Sequence, residues 1–181
     1  MMKNLWVAMA LVVSTAFAAD KPAPRKYTLS DKSTFVLDVP AGWADKMEQP
    51  QGMPATITLT PRQGKPFRVF VTPIVPSEAK APVGTPADIK ARVQTVADSV
   101  KSQAVEKTVP LKELKGAAGS GYYFSVTDSA PKPDEFKYMS EGILRVGALT
   151  VSFTILTNDG QAKVAKDALA VVAGAKVEPA K

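Results

Sequence analysis

The chain has 181 residues, a formal net charge of +6, no cysteine and no histidine. Those two zeros exclude disulfides, Ser-His-Asp and Cys-His nucleophile systems, a histidine general base, and zinc or copper sites built from nitrogen and sulfur ligands. What remains is carboxylate, lysine or hydroxyl chemistry, and the basic residues are too scattered to track a phosphate backbone, so nucleic acid is not an expected partner.

Residues 1–18 read as a cleavable signal peptide. Lys3 supplies the positive start, residues 5–13 the apolar run, and Ala16-Phe17-Ala18 the small-x-small pattern before a cut after Ala18. The run is too short to serve as a membrane anchor, and no other segment approaches the ~20 apolar residues that a spanning helix needs. The expectation is a periplasmic protein with no integral membrane segment, its mature part 163 residues long with a net charge of +5. That length suits one domain burying roughly 70% of its unfolded surface.

Residues 19–26 (ADKPAPRK) are polar and proline-rich, as in a flexible lead. The globular domain is expected over 27–174, with 175–181 as a polar tail. A short strand at 27–29 precedes one at 34–39 (TFVLDV), whose Phe35, Leu37 and Val39 share a face. Pro40-Ala41-Gly42-Trp43 ends it, and 44–54 reads as a long loop of the kind that carries ligand contacts. Residues 55–60 (ATITLT) and 67–72 (FRVFVT) form an antiparallel strand pair, and the prolines of 73–86 predict an irregular stretch. Thr85 then serves as N-cap, Pro86 as first helical residue and Asp88 as first-turn acid for a helix with Ile89, Val93, Val96 and Val100 on one stripe.

Residues 105–114 alternate but contain Pro110, which predicts an edge or broken strand. Residues 121–128 (GYYFSVTD) are a strand with Tyr122, Phe124 and Val126 inward. The segment 135–157 predicts a long hairpin turning at Gly147-Ala148, a type II′ turn that fixes the register. Leu144 then faces Val151, Gly142 faces Phe153 and Ser140 faces Ile155 on a core face; the opposite face mixes Lys137, Glu141 and Arg145 with Met139, Ile143 and Leu156. Gly142 reads either as room for the Phe153 ring or as a bulge. The sheet is thus expected to be covered fully on one side and partly on the other. Asn158-Asp159-Gly160 caps a closing helix over 161–172. The pattern is α+β with a mostly antiparallel sheet.

The stretch FVLDV followed by Pro40-Ala41-Gly42-Trp43 resembles the F-x-[VIL]-x-x-P-x-G-W opening of the PsbP-like superfamily. That superfamily includes an extrinsic photosystem subunit, a Ran-binding nuclear import factor and bacterial periplasmic proteins. The order of helix, G-Y-Y-F strand, long hairpin and closing helix extends the resemblance over 27–172. It implies an α/β/α sandwich, an antiparallel sheet flanked by helices, and a non-catalytic protein that binds a larger partner. Metal contacts in the family involve histidines, which this chain lacks, so neither a metal nor the photosystem role carries over.

Two aromatic residues are the candidate partner-binding positions. Trp43 sits where a strand leaves the sheet, either as an anchor for a partner or glycan or as a plug at the end of the core. Tyr123 points away from Tyr122 and Phe124, either as an interaction platform or packed beneath a helix. Asp128, Asp134 and Glu135 could supply paired carboxylates for a hydrolase, but turn and cap roles account for them. The expectation is therefore an exported protein without catalytic residues, cofactor or metal, engaging an envelope or exported protein. The alternatives are a small-ligand or glycan-binding module and, third, a carboxylate-dependent hydrolase.

Overall fold

The computed structural model describes residues 22–76 and 85–180, so the signal peptide expected at 1–18 lies outside the described residues. The strands are β1 (Ala23–Thr28), β2 (Thr34–Val39), β3 (Trp43–Glu48), β4 (Thr56–Pro61) and β5 (Arg68–Ile74). Helix α1 (Pro86–Val100) follows, then β6 (Lys112–Gly116), β7 (Gly119–Thr127), β8 (Tyr138–Val146), β9 (Leu149–Thr157), α2 (Ala162–Ala173) and β10 (Lys176–Glu178). They form a seven-stranded sheet in the order β3-β4-β5-β9-β8-β7-β6 and a three-stranded sheet in the order β1-β2-β10. The pairings described within both sheets are antiparallel. The chain is α+β, as its pattern predicts.

The β8–β9 hairpin has the expected register: Leu144 faces Val151, Gly142 faces Phe153 and Ser140 faces Ile155 across a two-residue turn. Gly147 takes φ 58°, a backbone conformation that glycine adopts without a side-chain penalty. At Gly142 the two sequence readings separate. A Cβ there would stand 2.8 Å from the Phe153 ring and 2.5 Å from Tyr123 Cβ, so the glycine is the space those side chains occupy.

Apolar side chains gather on both faces of the large sheet. The broad core joins Phe35 and Leu37 of β2 to Ile57, Leu59, Val69, Val71, Leu144 and Phe153 of the large sheet, and to Ala168 and Val172 of α2. The narrow core joins Ile89, Val93 and Ala97 of α1 to Phe124 and Val126 of β7, with Val96 and Val100 partly buried at its margin. Burial of Ile89 and Val93 contributes about 5 kcal/mol gross. Helix α1 starts as its sequence dictates: Thr85 Oγ1 accepts the Asp88 N–H at 3.3 Å while Asp88 Oδ2 accepts the Thr85 N–H at 2.7 Å, a reciprocal capping box. Helix α2 begins one residue later than expected, with the Gln161 side chain accepting the Asn158 N–H at 2.7 Å.

The structure corrects several sequence expectations. Residues 23–26 are not a flexible lead: they begin β1, which pairs with β2 along its whole length. Residues 176–178 of the expected tail are β10, on the other side of β2. Residues 44–48 of the expected loop belong to β3, paired with β4. Pro73 and Ile74 continue β5, where the register with β4 has ended and β9 alone still pairs. The edge strand near Pro110 is displaced to Lys112–Gly116. One layer also differs from two helices around a single sheet, because α2 shares its core with the three-stranded sheet.

Candidate functional site

Helix α1 packs chiefly on β7 and β8, whereas α2 and β2 serve the opposite side of the sheet. Among the described residues, no helix packs closely on the α1 side of β3, β4 and β5, while α1 reaches the margin of β9 at Ser152 and Leu156. Alternation decides what stands there. In β5, Val69 and Val71 enter the broad core, so Arg68, Phe70, Thr72 and Ile74 point the other way. In β4 the outward residues are Thr56, Thr58 and Thr60; in β9 they are Thr150, Ser152, Thr154 and Leu156.

Register places Phe70 at the centre of this face. Thr58 lies opposite it on one side and Thr154 on the other, while the Arg68 guanidinium sits 5.8 Å from its ring centroid. The Thr56 and Thr72 hydroxyls bond at 2.9 Å. Towards the β3 edge, Lys46 pairs with Glu48 at 2.6 Å, both largely exposed. On the α1 side Glu141 stands opposite Thr154 and lines a cavity of about 90 Å³ with Val93, Val96 and Phe124. Burial raises its carboxyl above the ordinary glutamate range. A half-buried aromatic ring, an arginine over it and a border of hydroxyls make a broad contact surface with a dense centre.

Neither sequence candidate belongs to this face. Trp43 is 8% exposed, with its ring 4.6 Å from that of Phe67 at 54°, in the broad core. It plugs the core and offers no free ring face to a partner. Tyr123 packs against the same core, 6.5 Å from the Phe153 ring, and Lys112 Nζ sits 5.8 Å from its own centroid. Tyr123 thus lies on the better covered face of the sheet. Phe70 escaped the sequence reading although its signal was present: in FRVFVT it is the aromatic residue that falls on the polar half of the alternation.

The acidic candidates build turns. Asp128 Oδ1 accepts the Ala130 N–H at 2.9 Å, Glu135 Oε2 accepts the Lys132 N–H at 3.0 Å, and Asp134 takes φ 69°. Among the described residues, no three acidic side chains converge as a cation site would require, and no helix is long and apolar enough to cross a membrane.

No family model and no curated protein sequence matches the chain. Among solved structures it is similar to cyanobacterial PsbP (CyanoP) from Synechocystis sp. PCC 6803, at 13% identity and a TM-score of 0.48, over 93% of this chain and 99% of that one. At that identity and score the likeness adds nothing on the site or its chemistry.

Proposed function

We propose that the chain is an exported, non-catalytic binding protein of the bacterial envelope that engages a protein partner through the open half of its large sheet. The observation that carries this reading is Phe70, which stands outside both cores, beneath Arg68 and between Thr58 and Thr154. Aromatic and arginine side chains ringed by small polar ones are the composition of an interface centre and its rim. A sheet face offers breadth rather than depth, which fits a macromolecule better than a small molecule. Export rests on the residues of 1–18, and the absence of catalysis on the missing His and Cys and on the turn roles of the acidic candidates. The glycan or small-ligand alternative, as far as it depended on Trp43 and Tyr123, meets two rings that pack against the broad core.

The test compares tagged wild-type protein with Phe70→Glu and Arg68→Ala in capture from envelope extracts. Both positions lie outside the cores, so thermal midpoints are expected to hold. One or more proteins retained by the wild type should be lost by Phe70→Glu and weakened by Arg68→Ala. Recovery of the same proteins by all three, or of none above background, would overturn the reading.

A further inference from the structure

A second concavity, of about 350 Å³, opens where β7 and β8 run past the beginning of α2. Its polar wall comes from two arrangements. Ser125 and Ser140 are direct partners across β7 and β8, with hydroxyls 2.8 Å apart. Glu106, in the segment after α1, accepts the Thr127 N–H at 2.9 and 3.1 Å and the Thr127 hydroxyl at 2.7 Å. Desolvation works to raise the Glu106 carboxyl, but the bonds from Thr127 outweigh it and hold the group below the usual glutamate range. The remaining wall mixes Tyr138, Thr157 and Asn158 with apolar side chains, among them Met139 and, from α2, Ala162 and Ala165.

The charge of this cleft has the opposite sign to that of the chain. Glu106 is the one charged residue among those that line the cleft and takes part in none of the described ion pairs, whereas nearby Lys137 is bonded to Asp159 at 3.1 Å. The Glu106 oxygens accept from Thr127 and keep lone-pair capacity to spare, and the serine hydroxyls can accept as well. The site is therefore rich in acceptors, has Glu106 as the charged residue of its lining, and includes the apolar side chains of Met139, Ala162 and Ala165.

We propose that this cleft binds a small alkylammonium compound, with its ammonium group at Glu106 and the Ser125–Ser140 pair and its methylene chain along Ala162 and Ala165. An ammonium has three donors and no acceptor, which complements this wall, and its charge is opposite to that of Glu106. Anions are repelled by the carboxylate, and a neutral alcohol forgoes the charge-assisted bond. The cleft lies apart from the Phe70 face, so the inference stands or falls independently of the proposed protein partner.

The probe is pentylamine, titrated into the folded protein and followed by amide chemical shifts, with the neutral alcohol and the carboxylic acid of the same chain length as controls. Shifts are expected at Ser125, Thr127, Ser140 and the first turn of α2 for the amine alone. Glu106→Gln preserves an acceptor for the Thr127 N–H while removing the charge, and should weaken binding about tenfold or more at the cost of some stability. Ala165→Leu, which narrows the apolar wall without touching Glu106, should weaken it too, and serves as the second variant if Glu106→Gln loses stability. Phe70→Glu should bind as the wild type does. The proposal is overturned if millimolar pentylamine moves none of these amides, if the alcohol or acid moves them equally, or if both cleft variants bind unchanged.

Discussion

Gly142 and Glu141 are neighbours on β8 that carry opposite constraints, one of volume and one of charge. Gly142 leaves no room for a methyl group between Tyr122, Tyr123 and Phe153. The obstacle includes the Tyr122 carbonyl, which the sheet holds in place, so the strain has no cheap outlet. Gly142→Ala is expected to destabilise the protein by about 3 kcal/mol in denaturant melts, and a loss under about 1 kcal/mol would mean that the β7–β8 pairing is softer than its register implies. Glu141 projects to the other side, into the seam beneath α1. Because burial raises its carboxyl above the ordinary value of 4.5, folding disfavours its ionised form. That penalty is present at neutral pH and fades as pH falls through the raised value towards the ordinary one. Glu141→Gln should therefore melt at a higher temperature than the wild type at neutral pH, with the difference closing as the solution is acidified. A difference that does not vary with pH would show that the carboxyl is solvated.

At the scale of elements, β10 is the clearest departure from sequence expectation and also the easiest to test. Val177 packs against the broad core, and Lys26 bonds both oxygens of Glu178 at 2.9 Å. Removal of residues 176–181 is expected to cost about 1 to 2 kcal/mol, read as a lower midpoint in urea, whereas a tail without structure would cost nothing. The strands that the sequence revealed and those it concealed differ in one respect. β2, β5, β7, β8 and β9 each have neighbours on both sides, and their alternating Val, Ile, Leu and Phe announce them. β1 (APRKYT), β3 (WADKME) and β10 (KVE) are edge strands that carry charges and, in β1, a proline, the residues that keep an edge from pairing with other chains. The chemistry that protects an edge also hides it from a reading by periodicity. The open face was half legible for a related reason: the polar stripe of β4 and β9 could be read from their threonines, but its exposure depends on where α1 lands, and α1's amphipathic pattern specifies a buried stripe without naming the strands that bury it.

For the molecule as a whole, the unequal cores set a hierarchy of stability. The broad core ties β2, β4, β5, β8, β9 and α2 together, while α1 rests on β7 and β8 over a handful of side chains. Amide exchange should be slowest in β5, β8 and β9 and distinctly faster in α1, through openings that leave the large sheet intact. Ile89→Ala, removing one of the few anchors of α1, should speed exchange in α1 and lower global stability by about 2 to 4 kcal/mol. Uniform protection of α1 and β9 would contradict the hierarchy. The three-stranded sheet imposes a different order, in time. Lys26 and Glu178, clasped beside β2, are 152 positions apart, so until Val177 has been synthesised β2 lacks a flank that no earlier segment supplies. Completion of that small sheet is thus a late event in the life of a nascent chain, because its last strand is also among the last residues to be made.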